Sequence, residues 1–154
     1  MTRTIEATQG HELLIERTFD ASPELVFRVW TKPEHLMRWW GPKTFTTVAF
    51  EMDFRDGGAY RACIRDPEGE DHWMSGIYRE IVPAKRIVMT FRWDDGAWDG
   101  LNNLITVGFD AAPGGGTKFS FHQAPFTDTA TRDSHVGGWT ECIDGLAAYL
   151  EATA

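Results

Sequence analysis

The stretch DSHVGGWTECIDGLAAYLE, Asp133 to Glu151, decides the fold. Val136, Trp139, Ile143, Leu146 and Leu150 recur at alternating spacings of three and four, so a helix gathers them into one apolar stripe. Gly137, Gly138 and Gly145 weaken that helix in isolation, and tertiary packing must hold it. Gly137 and Gly138 also leave space for a backbone or a ligand to approach closely. A long amphipathic helix needs something to lie on, and the residues before it supply a sheet.

Turn signals come at intervals typical of an antiparallel meander: Asp56-Gly57-Gly58, Asp66-Pro67-Glu68-Gly69, Val82-Pro83-Ala84, Asp94-Asp95-Gly96 and Ala112-Pro113-Gly114-Gly115-Gly116. Between them the sequence predicts strands at about 45–54, 58–65, 72–82, 86–93, 102–110 and 117–123. Connections this short exclude crossover helices, so the strands pair antiparallel. Upstream, ELLIERTF (Glu12–Phe19) predicts a first strand. Ser22 as cap, Pro23 at the first helical position and Glu24 in the first turn predict a short helix, with Val26, Val29 and Trp30 on one face. Lys32-Pro33-Glu34 restarts the pattern, a second short helix runs toward Trp39-Trp40, and Gly41-Pro42 stops it.

The order is therefore β-α-α-β-β-β-β-β-β-α: an α+β fold in which a curved antiparallel sheet of about seven strands wraps a long C-terminal helix. An immunoglobulin-type sandwich is the weaker alternative, since it offers that helix no place. Residues 1–10 are expected to form a flexible N-terminus and residues 11–154 one domain, a usual size for a chain of 154 residues.

A formal charge of −8, with no basic run, argues against nucleic acid and against attraction to an anionic membrane. Seven Trp and ten Phe against three Tyr supply either large buried area or a flat apolar wall for a ligand. Met1 to Leu14 carries no apolar core of signal-peptide length, and no run approaches a membrane span. Cys63 and Cys142 lack metal-type spacing and are expected to be free thiols in a reducing cytoplasm.

The stretch FDASPELVFRVWTKPEHLMRWWGP, Phe19 to Pro42, resembles the opening signature of the family related to the C-terminal domain of the activator of the Hsp90 ATPase, within the START/Bet v 1-like, or SRPBCC, superfamily. DFRDGGAYR (Asp53–Arg61), the Asp66-Pro67-Glu68-Gly69 turn, GIYREIVPAKRIVMTF (Gly76–Phe91) and Gly138-Trp139 extend the resemblance over nearly the whole chain. It implies a helix-grip fold with a cavity between sheet and C-terminal helix. The superfamily includes lipid carriers, plant hormone and allergen proteins, polyketide cyclases and a chaperone co-factor, so the shared fold transmits no single reaction.

Alternation sets which side chains would face such a cavity. Arg61 and Arg65 face out, leaving Tyr60, Ala62 and Ile64 inside. The family pattern implies that Met74, Gly76 and Tyr78 face in. Met89, Phe91 and Trp93 do so by alternation, as do Ile105, Val107 and Phe109, and then Phe119, Phe121 and Gln123. Trp139 and Ile143 meet them from the helix, and Trp40 closes one end. Tyr60, Tyr78 and Gln123 would be the polar fixtures of an otherwise apolar wall. The competing expectation is that these side chains interdigitate and fill the space; the resemblance favours a cavity.

Motifs for covalent or metal chemistry are absent from the sequence. His11, His35, His72, His122 and His135 form no ligand-spaced cluster, so no metal or cofactor is expected, and most of them read as solvated surface residues. No Gly-x-Ser-x-Gly occurs. Tyr78 and Glu80, the latter continuing the inward phase of the former, are the weak candidates for catalysis. Arg17 falls on the Ile15/Phe19 face and is expected to form an ion pair, with Glu80 as one candidate partner.

Three functions compete. The leading one is binding of a small hydrophobic or aromatic molecule through Trp40, Tyr60, Met74, Tyr78, Met89, Phe91, Trp93, Phe121, Gln123, Trp139 and Ile143. The second is a cyclase- or hydrolase-like enzyme acting on a polyketide-like substrate. The third, a co-factor of an Hsp90-type chaperone, is weakened because the chain carries only one domain. Trp73 and Trp98, if exposed, would offer patches for a homodimer.

Overall fold

The computed structural model describes residues 3–6, 12–94, 102–126 and 128–153. In chain order it contains β1 (Arg3–Glu6), β2 (Leu13–Phe19), α1 (Pro23–Arg28), α2 (Pro33–Trp39), β3 (Thr46–Met52), β4 (Ala59–Arg65), β5 (Asp71–Val82), β6 (Arg86–Trp93), β7 (Asn102–Ala111), β8 (Thr117–Ala124) and α3 (Thr129–Thr153). The strands form one antiparallel sheet ordered β1-β2-β8-β7-β6-β5-β4-β3. The expected order of elements stands, with one addition. Arg3–Glu6, inside the stretch expected to be flexible, lies along β2 with Ile5 opposite Ile15 and makes an eighth, edge strand.

Local chemistry fixes the element ends. The Ser22 hydroxyl accepts from the Leu25 N–H at 3.2 Å, and Pro23 opens α1. Helix α2 ends at Trp40, after which Gly41 takes φ +98°, a left-handed turn that favours glycine. Helix α3 begins a turn earlier than its apolar stripe predicts. Asp128 Oδ1 accepts from the Thr131 N–H at 2.7 Å and so caps that extra turn.

Strand β2 lies beside β8, whereas β3 is the far edge, so α1 and α2 carry the chain over the side of the sheet that α3 also covers. The end of α2 docks on α3 at Gly145, where a β-carbon would sit 3.3 Å from the Trp39 carbonyl oxygen. Beneath these helices the strand phases follow alternation. Tyr60, Ala62, Ile64, Met74, Tyr78, Met89 and Phe91 are buried, as are Ile105, Val107, Phe109, Phe119, Phe121 and Gln123. Trp139, Ile143, Leu146 and Leu150 of α3 close over them.

Two charged residues depart from the expected arrangement. A bulge between Tyr78 and Glu80 resets the register, so Glu80 does not continue the inward phase. Its Oε1 accepts from Arg86 Nε at 2.7 Å on the surface instead. Arg17 is held on the inner side, but its partner is Asp144 of α3 at 2.6 Å, not Glu80. Gly76 marks a further irregularity. The Tyr60 ring covers it, and the Tyr60 hydroxyl donates to the Thr90 carbonyl at 2.6 Å, reaching across β5 to β6.

Candidate ligand cavity

The centre of the trough is filled by its own rings. Phe121 lies 4.6 Å from Trp139, and Tyr60 lies 5.4 Å from Tyr78, ring centre to ring centre. Space opens toward one end, where α3 begins. There a cavity of about 490 Å³ lies between the first half of α3, the segment from Trp40 to Phe45, and the inner ends of β4, β5 and β6. The helix contributes His135, Gly137, Gly138, Trp139, Glu141 and Cys142 to its wall; the strands contribute Ile64, His72, Met74, Phe91 and Trp93.

The glycine pair borders this space. A β-carbon on Gly137 would meet nothing within 4 Å, and one on Gly138 would meet only Pro42 Cγ at 3.6 Å.

Hydrogen bonds lock the aromatic walls in place. Trp40 donates its indole N–H to Met74 Sδ at 3.4 Å and stands at 82° to Trp139, 5.3 Å away. Trp139 donates to Gln123 Oε1 at 2.7 Å, Gln123 Nε2 donates to Asn103 Oδ1 at 2.9 Å, and Asn103 Nδ2 donates to the Pro125 carbonyl at 3.4 Å. Trp93 donates to His135 Nε2 at 3.1 Å, while His135 Nδ1 bonds the Thr131 carbonyl at 2.8 Å. Since a carbonyl only accepts and an indole N–H only donates, His135 carries its proton on Nδ1. Burial holds its pKa below the usual histidine range, against the opposing pull of the Thr131 carbonyl, so the ring is neutral.

Of the residues expected to face a ligand, Trp40, Met74, Phe91, Trp93 and Trp139 line this cavity. Tyr60, Tyr78, Met89, Phe121, Gln123 and Ile143 lie in the surrounding core. Burial raises the pKa of both tyrosines, so both keep their phenol protons. Tyr78 and Glu80 do not share a dry space, the first being 3 % exposed and the second ion-paired at the surface. Burial pushes the Cys142 thiol up to about 12, and it donates to the Trp39 carbonyl at 3.7 Å. It is a protonated wall group, not a nucleophile.

One described histidine departs from the expectation of solvated surface residues, and three are partly exposed. His135 is buried, His35 contacts the Tyr149 hydroxyl at 2.8 Å, His72 bonds Asp66 Oδ2 at 2.8 Å, and His122 lies 3.4 Å from Glu12; His11 is outside the described residues. Asp66, Glu70 and His72 place three ligand-type atoms within 4.8 Å of one another. Asp66 already accepts from the N–H groups of Glu68 and Glu70, both at 2.9 Å, so the group closes the β4–β5 turn. The His72 hydrogen bond and those amides hold the Asp66 carboxyl below its usual range. Trp73 is half-buried beneath the Arg61 guanidinium, 4.0 Å from the ring centre, and Trp98 lies outside the described residues.

Sequence reasoning missed His135, Phe45 and Glu141 as wall residues. His135 precedes Trp139 by one helical turn, so its place on the stripe was available from spacing alone.

Residues 20–151 match the family described as Activator of Hsp90 ATPase homolog 1-like protein. Solved structures agree. Protein CV1439 from Chromobacterium violaceum is 30 % identical, with a TM-score of 0.83, covering 92 % of this chain and 97 % of that one. The AHSA1 protein SPO3351 from Silicibacter pomeroyi is 24 % identical, with a TM-score of 0.81 over 93 % of this chain and 99 % of that one. Protein NE0264 from Nitrosomonas europaea, at 23 % identity and a TM-score of 0.78, covers 95 % and 97 %. The last two show the fold alone. No protein among curated sequences matches the chain.

Proposed function

Since this chain belongs to the Activator of Hsp90 ATPase homolog 1-like family, whose helix-grip fold it shares, we propose that it binds a small apolar molecule in the cavity at the start of α3. The observation that carries this reading is the space itself. About 490 Å³ walled by Trp40, Phe45, Phe91, Trp93 and Trp139 falls within the size and chemistry of small-molecule sites. A pair of helical glycines borders it. A cytoplasmic setting belongs to the same reading, supported by two buried cysteines that remain free thiols. Among the described residues no helix is long and apolar enough to cross a membrane.

Thermal unfolding across a panel of bicyclic and short-chain apolar compounds tests the proposal. A ligand at a hundredfold excess over its Kd should raise Tm by roughly 5–10 °C. A panel spanning the cavity's size that leaves Tm unchanged throughout would remove the reading.

A further inference from the structure

The cavity wall is rich in π surface and poor in positive charge, a combination that selects the sign of a ligand's head group. Three tryptophans line it, and each indole N–H is already committed within the protein: Trp40 to Met74, Trp93 to His135 and Trp139 to Gln123. What these rings leave for a ligand is π surface, not hydrogen-bond donors. Among the described residues of the wall none is lysine or arginine. Its one carboxylate is Glu141, exposed at the mouth, where Oε1 accepts from the Lys43 backbone N–H at 3.0 Å. Neither imidazole compensates: His135 Nε2 is occupied by Trp93, and His72 Nε2 is held by the Asp66 carboxylate.

Building on the ligand-binding reading above, we infer that the cavity takes an organic ammonium ion, its apolar body among the rings and its amine between tryptophan surface and Glu141. A cation gains from aromatic quadrupoles even at an exposed site, and the Glu141 carboxylate adds to that attraction. A carboxylate placed there would instead be repelled by Glu141, with no lysine or arginine among the described wall residues to offset it. The chain's net charge of −8 acts in the same direction, enriching cations around the protein.

Three probes of matched shape separate the charge from the cavity: naphthylmethylamine, naphthylmethanol and naphthoate, titrated by calorimetry into the intact protein at neutral pH. The amine should bind about tenfold tighter than the alcohol, and naphthoate about tenfold weaker than the alcohol or not at all. Glu141→Gln should narrow the amine's advantage by about threefold. Gly137→Leu, which adds bulk at the wall, should weaken amine and alcohol together. If the alcohol binds and naphthoate equals or exceeds the amine, the charge inference is overturned while the cavity reading stands. If none of the three binds, both fall. If the amine binds Gly137→Leu as tightly as the parent protein, it sits elsewhere, and the inference is overturned.

Discussion

The indole N–H of Trp139 points at Gln123 Oε1, 2.7 Å away, and this bond ties the middle of α3 to the last strand of the sheet. Gln123 is fully buried and passes the connection on to Asn103 through its own amide. Replacing Gln123 with leucine keeps the volume and strands the two partners. Stability to urea should fall by about 2–4 kcal/mol, because each unpaired buried polar group costs on the order of 1–3 kcal/mol. Adding Trp139→Phe should cost less than the two single changes combined, since the orphaned donor is gone. A loss under about 0.5 kcal/mol for Gln123→Leu would show that the bond contributes little.

Gly137 separates stability from binding. Its β-carbon position is open, and a leucine there gains helix propensity. Gly137→Leu should raise stability by roughly 0.5–1 kcal/mol in denaturant titrations. The same variant should lose naphthylmethanol binding by about tenfold or more. Destabilisation would mean that the glycine is required by the backbone and not by the opening.

His135 makes stability depend on pH. In the unfolded chain a histidine takes up a proton near pH 6.5, whereas burial lowers the native value. The contribution is therefore whole above the unfolded value and drains away as pH falls through the lower native one. Protonating Nε2 also removes the acceptor that Trp93 uses. Urea unfolding from about pH 7.5 to about pH 5 should show a shallower loss for His135→Gln than for the parent. Parallel curves would remove His135 from the account.

Gly76 tests the strand irregularity. A methyl group at this position would drive into the Thr90 carbonyl and the Tyr60 ring together, and Thr90 belongs to backbone that cannot step aside. Gly76→Ala should cost more than about 3 kcal/mol. Tyr60→Phe, which loses only the hydrogen bond to Thr90, should cost about 1 kcal/mol. Circular dichroism melts of the two variants give the comparison, and equal melting points would contradict it.

Much of the fold was legible because its signals are local. Ser22-Pro23 capping, the Gly41 stop and the alternation from Tyr60 to Ile64 each rest on neighbours within a few residues. What escaped depends on distant partners. The bulge that turns Glu80 outward is a property of two strands together, and no pattern within β5 announces it. Alternation puts Arg17 on the correct face, yet its partner Asp144 lies on a helix far along the chain. The site was legible as an aromatic inner face but not as a location. Tyr60, Tyr78 and Phe121 are enclosed by neighbouring rings, whereas Trp40, Trp93 and Trp139, which are ring-packed too, also border the space beside the glycine pair. Ring-to-ring fit in three dimensions decides which inward residues touch empty space.

The placing of β2 beside β8 sets an order on the protein's birth. Synthesis delivers β2 early, yet the strand that satisfies its inner edge is the last one made. While β3 to β8 assemble as hairpins in sequence, the edge of β2 that faces away from β1 must wait unpaired outside the ribosome. Only when Thr117–Ala124 emerges can it dock, and the helix that seals the rings follows later still. The nascent chain is thus most exposed to holdase chaperones just before its final helix appears.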